Sequence, residues 1–338
     1  MDTISHILIG AVTGEIVAGN RQGKKAALWG AAIANIPDLD VIAQPFLSSA
    51  QSLLFHRGPT HSILFCILLT PLLAKLLTRI HKGTKTDFYD WIKLSACCLF
   101  SHIFIDCFNS YGTAVLYPFS NVRVAFDCIG IVDVFLILPF VLALLCFVFV
   151  KRRTQARKII AISAMLLSAL YLAFAVNNKI TLEKKIKNHF AQTNLNYDRI
   201  LTSPLPLTNF VWLVIVEDED GFFSANYSLK SGKIVFERYF LKNHKLAKSF
   251  ENDKEYQHLE RFSKGYYCLR TADNGDIMFY DLRIASFDFD GTANLENAVF
   301  THQLSKAADG KLKIKHNYPK RKISREKLKR YYEQIVGN

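Results

Sequence analysis

Histidine and aspartate recur in short stretches of the first half of this 338-residue chain. They are His6 in "ISHILIG", Asp38 and Asp40 in "NIPDLD", His56 and His61 in "HRGPTHS", His102 and Asp106 in "SHIFID", and Asp127 and Asp133 in "FDCIGIVD". His102 and Asp106 are four residues apart, so a helix projects both from one face. Asp38 and Asp40 follow Pro37, which ends the preceding helix. Two carboxylates this close repel unless a cation sits between them, or they cap the next element. "HRGPTHS" sets His56 ahead of a helix start and His61 in its first turn, with Pro59 suited to that start. The free amides of such a turn, with Arg57, suit the phosphate or carboxylate of a substrate. Asp127 and Asp133 either ligate or cap the helix that follows. Each stretch alone has a plainer reading as a hydrogen-bonded pair, a polar cap or a satisfied core histidine.

Taken together they exceed what one tetrahedral zinc can use. Mixed imidazole and carboxylate ligands suit two or more divalent ions, zinc first, with manganese or iron as alternatives. Clustered ions of this kind activate water and stabilise the attacking and leaving oxygens of a phosphoryl displacement. The expected ligand set is His6, Asp38, Asp40, His56, His61, His102, Asp106 and Asp133. Asp38, His61 and Asp106 stand nearest the chemistry, and Arg57 clamps the anion.

The elements that must position these residues read as membrane. Half of the residues are hydrophobic, and nearly all long apolar runs precede residue 178. Residues 63–80, 91–108, 129–150 and 159–176 each approach the ~20 residues needed to cross a ~30 Å hydrocarbon core. Two shorter N-terminal segments, "ISHILIGAVTGEIVAG" and "AALWGAAIANI", carry small residues that suit close helix packing. The start "MDTISH" has neither the basic region nor the cleavage site of a removable signal peptide. The expected architecture is a helical polytopic bundle of four long spans and two short helices over residues 1–178. A soluble α+β domain with an antiparallel sheet is expected over 179–338.

The net charge of +13 is spread in a way that argues against nucleic acid. "KRRTQARK" (Lys151–Lys158) links two spans, as a cytoplasmic loop obeying the positive-inside bias would. Counting spans from there puts Arg21, Lys24, Lys25, Arg79, Lys82 and Lys85 on the same side. It gathers every His and Asp named above on the other side, although none of them set the orientation. An ionisable group inside a membrane is costly and marks a functional site by default. The same count makes the soluble domain extracytoplasmic. The "KRKISREKLKR" group near the C-terminus reads as a solvated helix face, or as a contact for anionic headgroups. The seven cysteines show no zinc-ligand spacing; Cys107 and Cys128 fall near one membrane face, where they are candidates to pair.

Beyond Asn177, "NFVWLVIVED", "GFFSANYSL" and "GKIVFERYFL" read as strands, with a polar helix over 245–262 and a hairpin turning at Asn274-Gly275. "FDFDGT" (Phe287–Thr292) imitates the nucleophile motif of haloacid-dehalogenase-like phosphatases. That site needs a parallel sheet and more chain than follows, so it reads as a turn.

In order, "MDTISHILIG", "PDLD", "HRGPTHS", "SHIFIDCFNSYGT", "YPFS" and "FDCIGIVD" resemble the YdjM-like family of membrane-bound metal-dependent hydrolases. The resemblance covers roughly residues 1–140. It implies a multi-pass protein of the bacterial inner membrane with a metal hydrolase site on His6, Asp38, Asp40, His56, His61, His102, Asp106 and Asp133. A looser similarity in ligand order to zinc-dependent phospholipase C suggests a phosphoester or lipid-linked phosphate as substrate. The competing reading is a divalent-cation transporter or sensor with the same ligands. Its polar groups should line the span through the midplane rather than gather at one end.

Overall fold

The computed structural model describes residues 1–83, 86–193, 196–283, 295, 298–307, 312–317 and 324–336. The chain packs as two compact units, Met1–Ile42 with Phe55–Val176, and Ala43–Leu54 with Asn177–Asn338.

The first unit is helical: α1 Thr3–Gln22, α2 Lys24–Ala34, α4 Ile63–Ile80, α5 Phe88–Asp106, α6 Val134–Phe149 and the first part of α7 Gln155–Thr193, with α3 Ser49–Phe55 lying mostly in the other unit. Of these, α4, α5 and α7 are long and apolar enough to cross a membrane. The bent pair formed by α2 and the 3-10 segment Pro37–Phe46 makes a fourth candidate. The expectation of four long spans is therefore corrected over 129–150. There the apolar helix α6 has only 16 residues, because Asp133 caps its start.

α1 and α2 form a hairpin about Gly23, whose φ of 58° suits glycine. The two helices touch backbone to backbone. A Cβ on Gly14 would stand 2.2 Å from the Ala26 carbonyl oxygen, and one on Gly30 2.2 Å from that of Gly10. Small residues at i and i+4 permit this approach. Gly30→Val is expected to force the helices apart at a cost of about 3 kcal/mol. A large drop in the thermal midpoint of the detergent-purified protein would register it.

The second unit holds two four-stranded antiparallel sheets, not the one sheet expected. They are β1 Arg199–Pro204 to β4 Ile234–Leu241, through β2 Val211–Glu217 and β3 Gly221–Ser228, and β5 Tyr267–Thr271 to β8 Leu312–His316, through β6 Ile277–Asp281 and β7 Thr301–Lys306. The β5–β6 hairpin turns at Gly275, as its sequence predicts. β2 is buried along its whole length because both of its faces are covered. Val211, Leu213 and Ile215 enter a core with Cys268 and Leu282, while Trp212, Val214 and Val216 pack on Leu182, Ile186 and Phe190 of α7. The polar helical stretch divides into a 3-10 segment, His244–Phe250, and α8 Lys254–Ser263. The "FDFDGT" stretch lies outside the described residues.

Residues 43–54 are an excursion from the first unit. Ala50 is fully buried among Phe250, Tyr256 and Leu259, and the Ser48 hydroxyl donates to Glu255, all within the second unit. The excursion leaves two residues after Asp40 and returns one residue before His56.

His302 of β7 is 1% exposed, with its ring 4.9 Å from that of His316 on β8. Burial, then the neighbouring His316, push its pKa down to about 3. The unfolded chain takes up this proton near pH 6.5, so the folded unit keeps its full stability above that pH. It loses up to about 1.4 kcal/mol per pH unit as the pH falls from 6.5 toward 3. Amide exchange in β6, β7 and β8 is expected to accelerate over that window, and His302→Gln to flatten the response.

Candidate metal centre

Each ligand candidate is set by a local rule. α5 begins at an Asp87 capping box and ends on Asp106, so His102 and Asp106 occupy successive turns of its last stretch. Asp38 and Asp40 sit in the first turn of the Pro37–Phe46 segment. His61 ends the Pro59–His61 turn, and Ser62 then caps α4 by accepting from the Phe65 amide at 3.1 Å. His6 lies one turn into α1, which Asp2 caps.

Four of these side chains converge. One donor atom each from Asp38, His61, His102 and Asp106 lies within 4.8 Å of the other three. The Nε2 atoms of His61 and His102 are 3.0 Å apart. Asp38 Oδ1 is 3.3 Å from His61 Nε2 and 3.6 Å from His102 Nε2, and Asp106 Oδ2 is 3.5 Å from both. A tetrahedral zinc with bonds of about 2.0–2.2 Å spaces its ligands about 3.3–3.6 Å apart. Four of these five distances match the edges of a tetrahedral coordination shell, and the His61–His102 edge at 3.0 Å is shorter.

Tautomers make the fit chemical as well as metric. His102 Nδ1 is 2.6 Å from the Ala34 carbonyl, which can only accept, so Nδ1 carries the hydrogen. The Thr60 hydroxyl donates to Asp40 Oδ2 at 3.1 Å, so its oxygen accepts from His61 Nδ1 at 3.0 Å. Both Nε2 atoms then present lone pairs to each other and to two carboxylates. Donors arranged so repel unless a cation lies among them. Anchoring of the far ring nitrogen is the usual support of a ligating histidine. Asp106 Oδ2 also has no hydrogen-bond partner although fully buried.

The other predicted ligands surround this quartet. His6 stacks on His102 with ring centroids 3.6 Å apart, and its Nε2 is 3.3 Å from Asp106 Oδ1. His56 Nδ1 pairs with Asp40 Oδ1 at 2.9 Å, and Asp40 Oδ2 is 3.6 Å from His61 Nδ1. Asp40 and His56 therefore bear on the far side of His61 rather than on the converging atoms. Asp133 belongs elsewhere. Its Oδ1 accepts from the Phe135 and Leu136 amides that open α6, and its Oδ2 accepts from the Tyr171 hydroxyl at 3.0 Å. Asp127 takes a left-handed backbone, with φ 49°.

Arg57, expected as the anion clamp, is 3% exposed and stands behind Asp106, its Nε 3.4 Å from Oδ2. Its other nitrogens donate to Asn109 Oδ1 at 2.7 Å and the Met1 carbonyl at 3.2 Å, and its guanidinium lies over the Tyr111 ring. A φ of 61° is unusual for arginine; its amide donates to Asp40 Oδ2 and its carbonyl accepts from Ala114. The Met1 amino group also reaches Asp106. Arg123 donates to the His56 and Gly112 carbonyls, tying the 107–133 connection to the histidine turn. The sequence reading passed over Thr60, Asn109, Tyr111 and Arg123, although all lie inside or just beyond the quoted motifs. Cys107 and Cys128, candidates for a disulfide, are both buried free thiols.

No solved structure matches the chain. A Bacillus subtilis (strain 168) protein described as uncharacterized, YfhP, is 28% identical over 151 residues, which is 43% of this chain. The matched region spans 45% of that relative, less than half its length. The model of the YdjM inner membrane protein family matches residues 1–180, more than half of the chain and all of the residues that build the quartet, and the chain belongs to that family.

Proposed function

We propose that the protein is a membrane-bound metal-dependent hydrolase acting on a phosphoester or lipid-linked phosphate. The observation that carries this reading is the convergence of His61 Nε2, His102 Nε2, Asp38 Oδ1 and Asp106 Oδ2, each within 4.8 Å of the others and four of their separations at 3.3–3.6 Å. A divalent ion, zinc by the ligand chemistry, would supply Lewis-acid activation of water and of a phosphoryl oxygen there. The protein's own groups fix the rest. Ala34 and Thr60 hold the two imidazoles in the ligating tautomer, and Asp40 orients Thr60. Arg57 and His6 hold Asp106 from opposite oxygens. Asp38 is the quartet member whose side chain is partly exposed, 14% against 0% for the others, so water and substrate reach the centre from its side. His56, 20% exposed, borders the same approach. The ligands gather at helix ends, with Asp106 the last residue of α5 and His61 just before α4, which favours a surface reaction over passage through the bundle.

The test is elemental analysis of detergent-purified protein, together with phosphate release from p-nitrophenyl phosphate and from phosphorylated lipids. Bound zinc and a rate that falls at least about a hundredfold on chelation, and returns on metal addition, are expected. Metal binding with no hydrolysis of any phosphoester, and metal uptake into proteoliposomes, would favour the transporter instead.

A further inference from the structure

At the end of the first unit away from the ligands, where α1 ends and α2 and α7 begin, a cavity of about 600 Å³ opens between α2 and the end of α6. Its wall is apolar, with Leu28, Leu144, Phe147 and Phe149. Leu28 is 69% and Phe149 88% exposed, as side chains facing acyl chains would be. Its rim carries Lys24, Lys151 and Arg152. All three are exposed, and among the described residues none forms an ion pair. Arg157 also borders the cavity, but Glu15 and the Phe147 carbonyl take its donors.

We propose that this groove binds an anionic phospholipid from the leaflet at the basic end of the bundle. The headgroup phosphate lies among Lys24, Lys151 and Arg152, and an acyl chain runs along Leu28, Leu144 and Phe149. Charge complementarity selects the anionic headgroup, and basic pockets between spanning helices take such headgroups generally. The apolar wall distinguishes a lipid from a soluble anion, which has no use for it. The volume suits a headgroup and the upper part of one chain, the remainder following the exposed face of α6. The proposal is independent of the metal centre and of any hydrolytic activity.

Native mass spectrometry of the full chain in neutral detergent tests it, with phosphatidylglycerol and phosphatidylcholine offered in equal amount. Retention of phosphatidylglycerol is expected to exceed that of phosphatidylcholine by about tenfold or more, each basic side chain near an anionic surface contributing roughly fivefold. The triple variant Lys24→Glu, Lys151→Glu, Arg152→Glu is expected to bring the ratio to about one, while Arg79→Glu with Lys82→Glu, basic residues outside the groove, leaves it unchanged. Leu28→Trp alters only an exposed wall residue, and so covers the case in which the triple variant fails to fold. It is expected to lower lipid retention at an unchanged thermal midpoint. Equal retention of the two lipids, a preference that survives both groove variants, or equal protection of the thermal midpoint by inorganic phosphate would each overturn the proposal.

Discussion

Asp106→Ala is expected to leave the protein without bound metal and to lower any phosphoesterase rate by about 10³-fold or more. Asp106 lies at the centre of the site. The Met1 amino group and His6 approach one carboxylate oxygen, and Arg57, His61 and His102 approach the other. Removing the carboxylate strands a buried guanidinium beside it, which costs about 3–5 kcal/mol. Thermal stability should therefore fall along with metal content. Asp106→Asn separates the two effects, because the amide keeps the shape and one acceptor but lacks the charge. It should retain most of the fold while metal occupancy drops sharply. Elemental analysis beside a melting curve reads both, and full metal occupancy in a well-folded Asn variant would remove the quartet as the site. Thr60→Val, which removes both the acceptor that fixes the His61 tautomer and a donor to Asp40 Oδ2, should weaken metal binding about 10–100-fold.

Glu15→Ala is expected to destabilise the helical unit by about 3–5 kcal/mol without touching the ligands. Arg157 reaches from α7 to meet both Glu15 oxygens, with Nε at 2.9 Å and Nη2 at 3.0 Å. It also donates to the Phe147 carbonyl at 2.7 Å and lies over the Phe147 ring, so one side chain joins α1, α6 and α7. Both members of the pair are nearly inaccessible, at 3% and 5% exposed. An unpaired guanidinium there would keep its charge, since arginine does not deprotonate in proteins. The double variant Glu15→Leu, Arg157→Met should recover much of the loss, because replacing a whole buried pair costs far less than breaking it. Melting of the single and double variants in one detergent checks this, and a single variant as stable as the parent would show the pair to be dispensable.

The parts of the site that depend on short spacing or on topology were legible in the sequence. His102 and Asp106 share a helix face by arithmetic, and counting charged loops brought His61, Asp38 and His6 to the same end of the bundle. Asp133 was misassigned because an aspartate before an apolar run reads alike as ligand and cap, and only the positions of the Phe135 and Leu136 amides decide between them. Arg57 reads as an anion clamp because its motif lies next to a helix start; its left-handed backbone turns it inward, a conformation that sequence pattern does not announce for arginine. α7 was expected to end with its apolar run, yet Leu182, Ile186 and Phe190 repeat every four residues and continue the helix against the first sheet. That periodicity was present in the sequence and had been masked by the surrounding lysines. The burial of Ala50 leaves no trace at all, since one small residue in a polar stretch looks the same exposed or enclosed.

The 43–54 excursion also limits how the chain can be divided. A single cut after Val176 would free the C-terminal sheets but leave Ala50 and Leu53 without the apolar surroundings they now occupy. The two ends of that orphaned segment lead directly into Asp40 and His56, so slack introduced there would be felt at the imidazole they brace. A fragment ending at that boundary should therefore be a poorer scaffold for the ligands than its length suggests, and exchange of C-terminal domains between relatives would have to carry residues 43–54 along.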